Sequence, residues 1–282
     1  MQHEPDRQKT DIAGLYHRVA STYGQVGPNP FDYAGQQLVK YVGITGGKRV
    51  LDVATGRGAN LFPASELVGP RGEVVGVDLA ESMVEQTMEA IRQRGLQNAT
   101  VMQMDAEQLA FDTASFDYVL CSFALFLFPH LEHALAEFLR VLRPGGRLGV
   151  TFAKNPDPLS IWYGERLTAY HQRYQFPLRA GGNNLQPAQL PALLTSAGFS
   201  NVQVFHEDVT FCMQVRRNGG MPDGHTALVT HWNTCQPRPW QRSKMRRWQD
   251  YRKLCSQKGC LNNGSLFTQK LSNPLEKLTV FH

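Results

Sequence analysis

From Lys48 to about Met213 the chain alternates short, almost continuously apolar runs with segments of helical periodicity. The runs KRVLDVA, EVVGVDL, ATVMQM, FDYVLCSFAL and GRLGVTFA are apolar at most positions rather than at every second one. Strands of that kind belong to a sheet covered on both faces, and their alternation with helices predicts βα units around a mostly parallel sheet.

The helix ends between these runs are legible. After VVGVDL, Ser82 and Glu85 have the spacing of a capping box, Val84, Met88 and Ile91 follow on one face, and Gly95 closes the helix. Further on, Leu131, Leu135, Phe138, Leu139 and Leu142 form a second stripe, which Arg143-Pro144-Gly145-Gly146 ends before the next strand. Two helices separated by Gly27-Pro28-Asn29-Pro30 predict a helical cap over residues 1–45. The layered pattern fills 46–213, except for an aromatic-rich insertion at about 155–184 that lacks strand alternation. PAQLPALLTSAGF and NVQVFHEDVTFCM then return a helix and a strand, whereas residues 214–282 keep little periodicity and predict no recognisable fold.

Composition narrows the classes. A chain of 282 residues, 42% of them hydrophobic, has enough material for one well-buried core with appendages. Its longest apolar run, Tyr118 to Phe128, is shorter than the roughly 20 residues a bilayer span requires, and the beginning of the chain is polar, so a cytoplasmic protein is expected. The five cysteines form no framework; Cys255 and Cys260 have no second pair, and no metal is expected. The net charge of +5 is unevenly divided: residues 213–282 carry 12 Lys and Arg against 3 Asp and Glu, and the remainder is mildly acidic. Only the tail therefore presents a polyanion-binding composition. Within it Arg238 to Lys253 interleaves cations with Trp240, Trp248 and Tyr251, a combination that can contact phosphates and stack bases, or lie on an anionic membrane surface.

Candidate chemistry clusters at the ends of the strands. The first ends at Asp52-Val53-Ala54-Thr55-Gly56-Arg57-Gly58, where glycine lets a ligand approach the backbone. This is no dinucleotide fingerprint, because the third glycine of that motif would fall on Leu61. By itself the loop reads equally as a strand-to-helix turn. Asp78 ends the second run, where a carboxylate can accept both hydroxyls of a ribose. Asp105 ends the third, in position to accept a hydrogen bond from an adenine amino group. One such acid is ordinarily a cap or turn residue; three in succession, Asp52, Asp78 and Asp105, predict a nucleoside site.

VLDVATGRGAN, VVGVDLAESM, MDAEQLAF, FDYVLCSFAL and LRPGGRLGVTF, in this order, resemble the class I S-adenosylmethionine-dependent methyltransferases, and among them the ubiquinone/menaquinone biosynthesis methyltransferase-like group. The likeness covers about residues 12 to 212. It implies an α/β, Rossmann-like, doubly wound sheet of seven strands, mostly parallel with the last antiparallel, and S-adenosyl-L-methionine as methyl donor. It also implies that Ala54, Gly56, Arg57 and Gly58 face the methionine part of the donor, Asp78 the ribose, and Leu79 the adenine. Asp105 and Ala106 would take the adenine edge, Ser122 the region of the sulfonium, and Tyr23, in RVASTYG, would close over the donor. Arg57 departs from the pattern, standing where a small residue is usual, with a side chain free to reach solvent or a carboxylate. For the closing antiparallel strand the tail offers only ALVTHW or KLTVFH, and without one the sheet would lack its edge.

Methyl transfer from a sulfonium needs alignment in a dry pocket more than it needs a catalytic group, so no catalytic residue is assigned. Where the acceptor must lose a proton, His130 and His171 are the candidate bases. The aromatic insertion, with Trp162, Tyr163 and Tyr170, suits a small-molecule acceptor with an apolar or aromatic portion. Two alternatives stay open: a nucleic-acid methyltransferase working through the tail, and a cofactor-binding protein impaired in transfer.

Overall fold

The computed structural model describes residues 4–24, 30–153, 183, 185–216, 228–234 and 271–281. Six α-helices, α1 (Glu4–Val19), α2 (Pro30–Val42), α3 (Leu61–Val68), α4 (Glu81–Gln93), α5 (Leu131–Val141) and α6 (Leu190–Ser196), accompany eight strands among these residues. The strands are β1 (Arg49–Val53), β2 (Glu73–Asp78), β3 (Ala99–Gln103), β4 (Phe116–Ser122), β5 (Leu142–Ala153), β6 (Ser200–Arg216), β7 (Leu228–Thr234) and β8 (Leu271–Phe281). They form one sheet in the order β3-β2-β1-β4-β5-β8-β6-β7.

The first five strands are parallel. Alternate residues of each serve opposite faces, which explains why the runs are apolar throughout. Leu51, Val53, Val75, Val77, Val119 and Cys121 pack with Phe138 and the rest of the α5 stripe. Val50, Val74 and Leu120 belong instead to the core under α2 and α3, with Leu38, Val42 and Leu61. Both faces are sealed, as a parallel sheet requires.

The sheet differs from the sequence expectation at its far side. It has eight strands rather than seven, and β8 is inserted antiparallel between β5 and β6, with Thr151 opposite Lys277 and Phe205 opposite that same residue. Both tail segments singled out as strand candidates are strands, since ALVTHW overlaps β7 and KLTVFH overlaps β8. The region beyond residue 213 is thus not wholly a tail: parts of it complete the sheet.

Two helix readings are corrected. Helix α4 begins at Glu81 with Ala80 as its cap, so Ser82 lies inside the first turn and makes no capping box. Its hydroxyl is hydrogen-bonded to Nδ1 of His17, tying α1 to α4. The buried face of α4 is Met83, Val84, Thr87 and Ile91, while Met88 is exposed. Helix α5 ends at Val141 and β5 starts at Leu142, so Leu142 leaves the helical stripe and Arg143 to Gly146 lie within the strand rather than before it, where the β4–β5 register shifts between Phe116 and Tyr118. No helix among the described residues is long and apolar enough to cross a membrane. The aromatic insertion lies outside the described residues except for Asn183 and Leu185 nearby, whose segment is fixed where Asn183 Nδ2 donates to the carbonyls of Leu125 and Phe128, each at 2.9 Å.

Candidate functional site

The order of the sheet reverses between β1 and β4, so the loops leaving their carboxyl ends diverge and open a crevice. The loop after β1 forms its floor. Ala54 (φ 52°) and Gly56 (φ 52°) both adopt left-handed backbone, which is strained for the alanine. Three hydrogen bonds with β2 and α4 impose that shape. Thr55 N donates to Val77 O at 3.0 Å, Gly56 N to Asp78 Oδ2 at 2.8 Å, and Thr87 Oγ1 to Gly56 O at 2.6 Å.

Asp52 is not part of the crevice wall. It is fully buried behind the loop, where Thr55 Oγ1 donates to one carboxylate oxygen at 2.6 Å and Asn60 Nδ2 to the other at 2.8 Å. Ser122 Oγ in turn donates to Asn60 Oδ1 at 2.9 Å and lies 3.2 Å from Thr151 Oγ1. A strand-end acid expected to face the ligand is therefore the anchor of an internal network, because Asp52 precedes the last residue of β1 and its side chain follows Val50 to the α3 side.

Burial pushes the Asp52 carboxyl up to about 6, with Asp78 adding to the rise and the Thr55 and Asn60 hydrogen bonds opposing it. The folded value lies above the ordinary 3.8, so the folded protein holds this proton more tightly than the unfolded chain. The associated stability is complete below about pH 4 and is lost as pH rises through about 6, by about 3 kcal/mol at most. Asp52→Asn, which keeps an acceptor for Asn60, is expected to lose this slope. Urea melts of both proteins between pH 4 and 7 measure it; identical slopes would show that the carboxyl titrates normally.

Asp78, by contrast, ends β2 and lines the crevice. Its Oδ2 accepts from Gly56 N, and its Oδ1 accepts from Ala80 N at 2.9 Å. Burial raises its carboxyl above the usual range, while backbone N–H groups of Ala80, Gly56 and Leu79 oppose the shift. A carboxylate has about four lone-pair sites, so acceptor capacity remains for a ligand. Leu79, Ala106, Ala54, Gly56 and Ser122 also line the crevice.

Asp105 lines it too, but it is already engaged. Glu107 N donates to its Oδ1 at 2.9 Å, and the Lys9 ammonium on α1 donates to its Oδ2 at 2.7 Å. Lys9 also pairs with Glu107 Oε2 at 2.5 Å, and Glu107 Oε1 accepts from His130 N at 2.8 Å. His130 thus meets the site through its backbone; its ring tilts against His133, with centroids 5.0 Å apart, and does not line the crevice.

Tyr23 covers the loop, with Cε1 4.0 Å from where a Cβ on Gly56 would lie. Its ring meets Tyr16 edge-on at 5.7 Å and stacks on Phe31 at 5.1 Å, and Phe31 meets Phe123 edge-on at 5.4 Å. Burial, with smaller contributions from Tyr16 and Asp78, holds the Tyr23 hydroxyl far above its ordinary value, so it stays neutral. Phe123, like Ala54, is a non-glycine residue in left-handed backbone (φ 53°), fixed where its N–H donates to Thr151 O at 2.9 Å.

Arg57 and Gly58 do not line the crevice. The half-buried Arg57 makes no ion pair with a carboxylate among the described residues; its guanidinium donates to Ala20 O at 2.6 Å, fastening the end of α1 to the loop. Gly58 packs under the Phe62 ring. The result is a crevice of about 760 Å³, mouth included. Sequence reasoning missed the contribution of α1, where Lys9, Ile12, Ala13 and Tyr16 line it. Their spacing of three, one and three is a helical stripe that was visible; its target was not.

Residues 50–146 match the family described as "Methyltransferase domain". The chain is 36% identical to the nocamycin O-methyltransferase of Saccharothrix syringae, over 69% of this chain and 74% of that one. It is 31% identical to the ubiquinone/menaquinone biosynthesis C-methyltransferase of Pseudomonas entomophila, over 76% of this chain and 90% of the relative. Among solved structures, its fold is similar to the phosphoethanolamine N-methyltransferase 2 of Haemonchus contortus, in complex with S-adenosyl-L-methionine, at a TM-score of 0.53 and 17% identity. That likeness covers 97% of this chain and 57% of the other, and concerns the fold alone. With the strand order, the left-handed glycine loop and Asp78 at the end of β2 already in place, these relationships establish that the chain belongs to the class I S-adenosylmethionine-dependent methyltransferases.

Proposed function

We propose that the crevice under α1 binds S-adenosyl-L-methionine, and that the enzyme transfers the methyl group to a small-molecule acceptor with an apolar or aromatic portion. The observation that carries this reading is the convergence of Asp78, Asp105 and the Gly56 backbone on one enclosed, mostly apolar crevice. The residues fit the donor. Glycine at position 56 leaves room over the backbone, and Asp78 keeps acceptor capacity for ribose hydroxyls. Leu79 and Ala106 offer apolar walls for an adenine, with Asp105 at its edge.

The bound donor supplies an activated methyl group on a positively charged sulfur. The chain's own residues have to orient and dry the site, and positioning of this kind is worth roughly 7 to 11 kcal/mol. The strained loop through Ala54 and Gly56 sets the floor, while Tyr16 and Tyr23 close the crevice from α1 and the turn after it. Both hydroxyls are raised by burial and by Asp78, so these rings exclude water as neutral groups and do not serve as bases. Among the described residues lining the crevice there is no histidine. His171 lies outside the described residues, and no proton-accepting role is assigned to His130.

The relatives support a small-molecule acceptor, since their names tie them to nocamycin and to ubiquinone and menaquinone biosynthesis. A nucleic-acid acceptor finds no comparable support. It rested on residues 238–253, which lie outside the described residues.

Tyr23→Ala is expected to weaken donor binding about tenfold, the loss of an aromatic contact of roughly 1 to 1.5 kcal/mol, whereas Tyr23→Phe retains it. Calorimetric titration with S-adenosyl-L-methionine makes the comparison. The function itself is tested by incubating the full chain with methyl-labelled donor and a metabolite extract. Mass spectrometry is expected to find the label in a small molecule; label only in nucleic acid, or nowhere despite tight donor binding, overturns the proposal.

A further inference from the structure

A second, more open groove runs along the outer side of α1, lined by Thr10, Gly14, His17, Glu81 and Gln103. The crevice and the groove share Lys9, Ala13, Leu79 and Ala80 as a common wall. Lys9 is the only long, charged side chain in that wall, and its ammonium spans Asp105 Oδ2 and Glu107 Oε2. We propose that Lys9 is a gate between groove and crevice: it closes the nucleoside end of the donor site while held on both carboxylates. It releases Asp105, remaining on Glu107, when the donor's adenine amino group takes that oxygen.

This rests on the reading of the crevice as the donor site. Three observations set the direction of the exchange. Asp105 Oδ1 accepts from a backbone N–H of its own turn, Glu107 N, whereas Oδ2 is held by the flexible Lys9 side chain, so Oδ2 is the oxygen whose partner an adenine amino group can displace. Asp105 has 31% of its side chain exposed and Glu107 only 4%, so Glu107 is the fixed partner and Asp105 the one a ligand can reach. Glu107 is itself held by His130 N, on the segment that joins the crevice wall of Phe123 to Pro129 with α5. The exchange keeps the ammonium on the more deeply buried carboxylate, Glu107, and leaves the more exposed Asp105 with neutral donors alone. Lys9 and Glu107 are therefore positioning residues: neither touches the methyl group, and together they control access to Asp105.

The test is stopped-flow binding of S-adenosyl-L-methionine to the full chain and its variants at several salt concentrations. Lys9→Met, similar in length and uncharged, is expected to raise the association rate about fivefold, the cost of opening one ion pair of this kind, and to leave the dissociation rate little changed because Lys9 is already off Asp105 in the bound state. Association to the native protein should quicken as salt weakens the pair, and the Lys9→Met rate should not. Glu107→Gln keeps an acceptor for His130 N but strands Lys9 on Asp105, so donor affinity should fall about tenfold. Adding Lys9→Met to Glu107→Gln should restore it, which loss of structure alone would not do. If the native protein binds no donor, the donor-site reading fails and the gate with it. If Lys9→Met binds the donor at the native rate, or the double variant is as weak as Glu107→Gln, the gate alone is overturned.

Discussion

Asp78→Ala is expected to lower the affinity for S-adenosyl-L-methionine by at least about a hundredfold. Hydrogen bonds to a charged group are worth about 1.5 to 3 kcal/mol each, and a ribose offers two hydroxyls. Two such bonds exceed the roughly 2.8 kcal/mol that a hundredfold change represents. The alanine also removes the acceptor for Gly56 N and Ala80 N, leaving part-buried donors unpaired and loosening the loop floor. Asp78→Asn separates the two effects. It keeps one acceptor oxygen while removing the charge, so it should bind more tightly than the alanine variant and more weakly than the native protein. Calorimetry gives the affinities and a thermal melt reports whether the fold survives. Native-like affinity in a folded Asp78→Ala protein would remove the nucleoside from this crevice.

Gly35→Ala is expected to be the most destabilising added methyl among the glycines of the described residues, costing about 3 kcal/mol. Helix α2 crosses the loop after Gly58 so closely that a Cβ at position 35 would lie 2.1 Å from Ala59 O and 2.6 Å from its carbonyl carbon. These are backbone atoms, so no side-chain rotation relieves the overlap, and either the helix or the loop must move. Movement of the loop displaces the adjoining Asn60, which holds both Asp52 and Ser122, so weaker donor binding should accompany the lower melting temperature. Gly14→Ala is the control. A Cβ there meets only the mobile end of Arg18, at 3.5 Å, within a helix, where alanine is favoured over glycine by roughly 0.5 to 1 kcal/mol. Its melting temperature should stay level or rise. Equal melting temperatures for Gly35→Ala and the native protein would show that α2 does not pack on the loop this closely.

The contrast between Asp52 and Asp78 shows how far the sequence could be read. Both acids follow an apolar run and precede small residues, and both look like rim carboxylates. Asp78 is the last residue of β2 and remains at the crevice, whereas Asp52 lies one residue short of the end of β1. By register Asp52 pairs with Gly76, so the two acids share a face of the sheet, and depth is what separates them: Asp78 stands at the open end of β2, whereas Asp52 is covered by the turn that carries Thr55 and Asn60. Burial of Asp52 is then made tolerable by Thr55 and Asn60, which reach it through turns that no pattern in the chain announces. Asp105 gave a different difficulty. Its place at the rim was legible, but its occupation by Lys9 was not, because the two residues are brought together only when α1 lies across the sheet.

The sequence alone determined the parallel part of the sheet, β1 to β5, and the donor chemistry at its rim. Those strands are buried on both faces, so their composition is apolar whatever their neighbours, and a glycine loop followed by spaced strand-end acids carries its meaning locally. Tertiary structure decided what depended on partners distant in the chain. β8 has Pro274, Glu276 and Lys277 in its path and little of the composition of a strand; it is one because β5 and β6 offer unpaired backbone on both sides of it. The crevice is likewise a closed site only because α1, whose stripe does not say where it docks, supplies its outer wall.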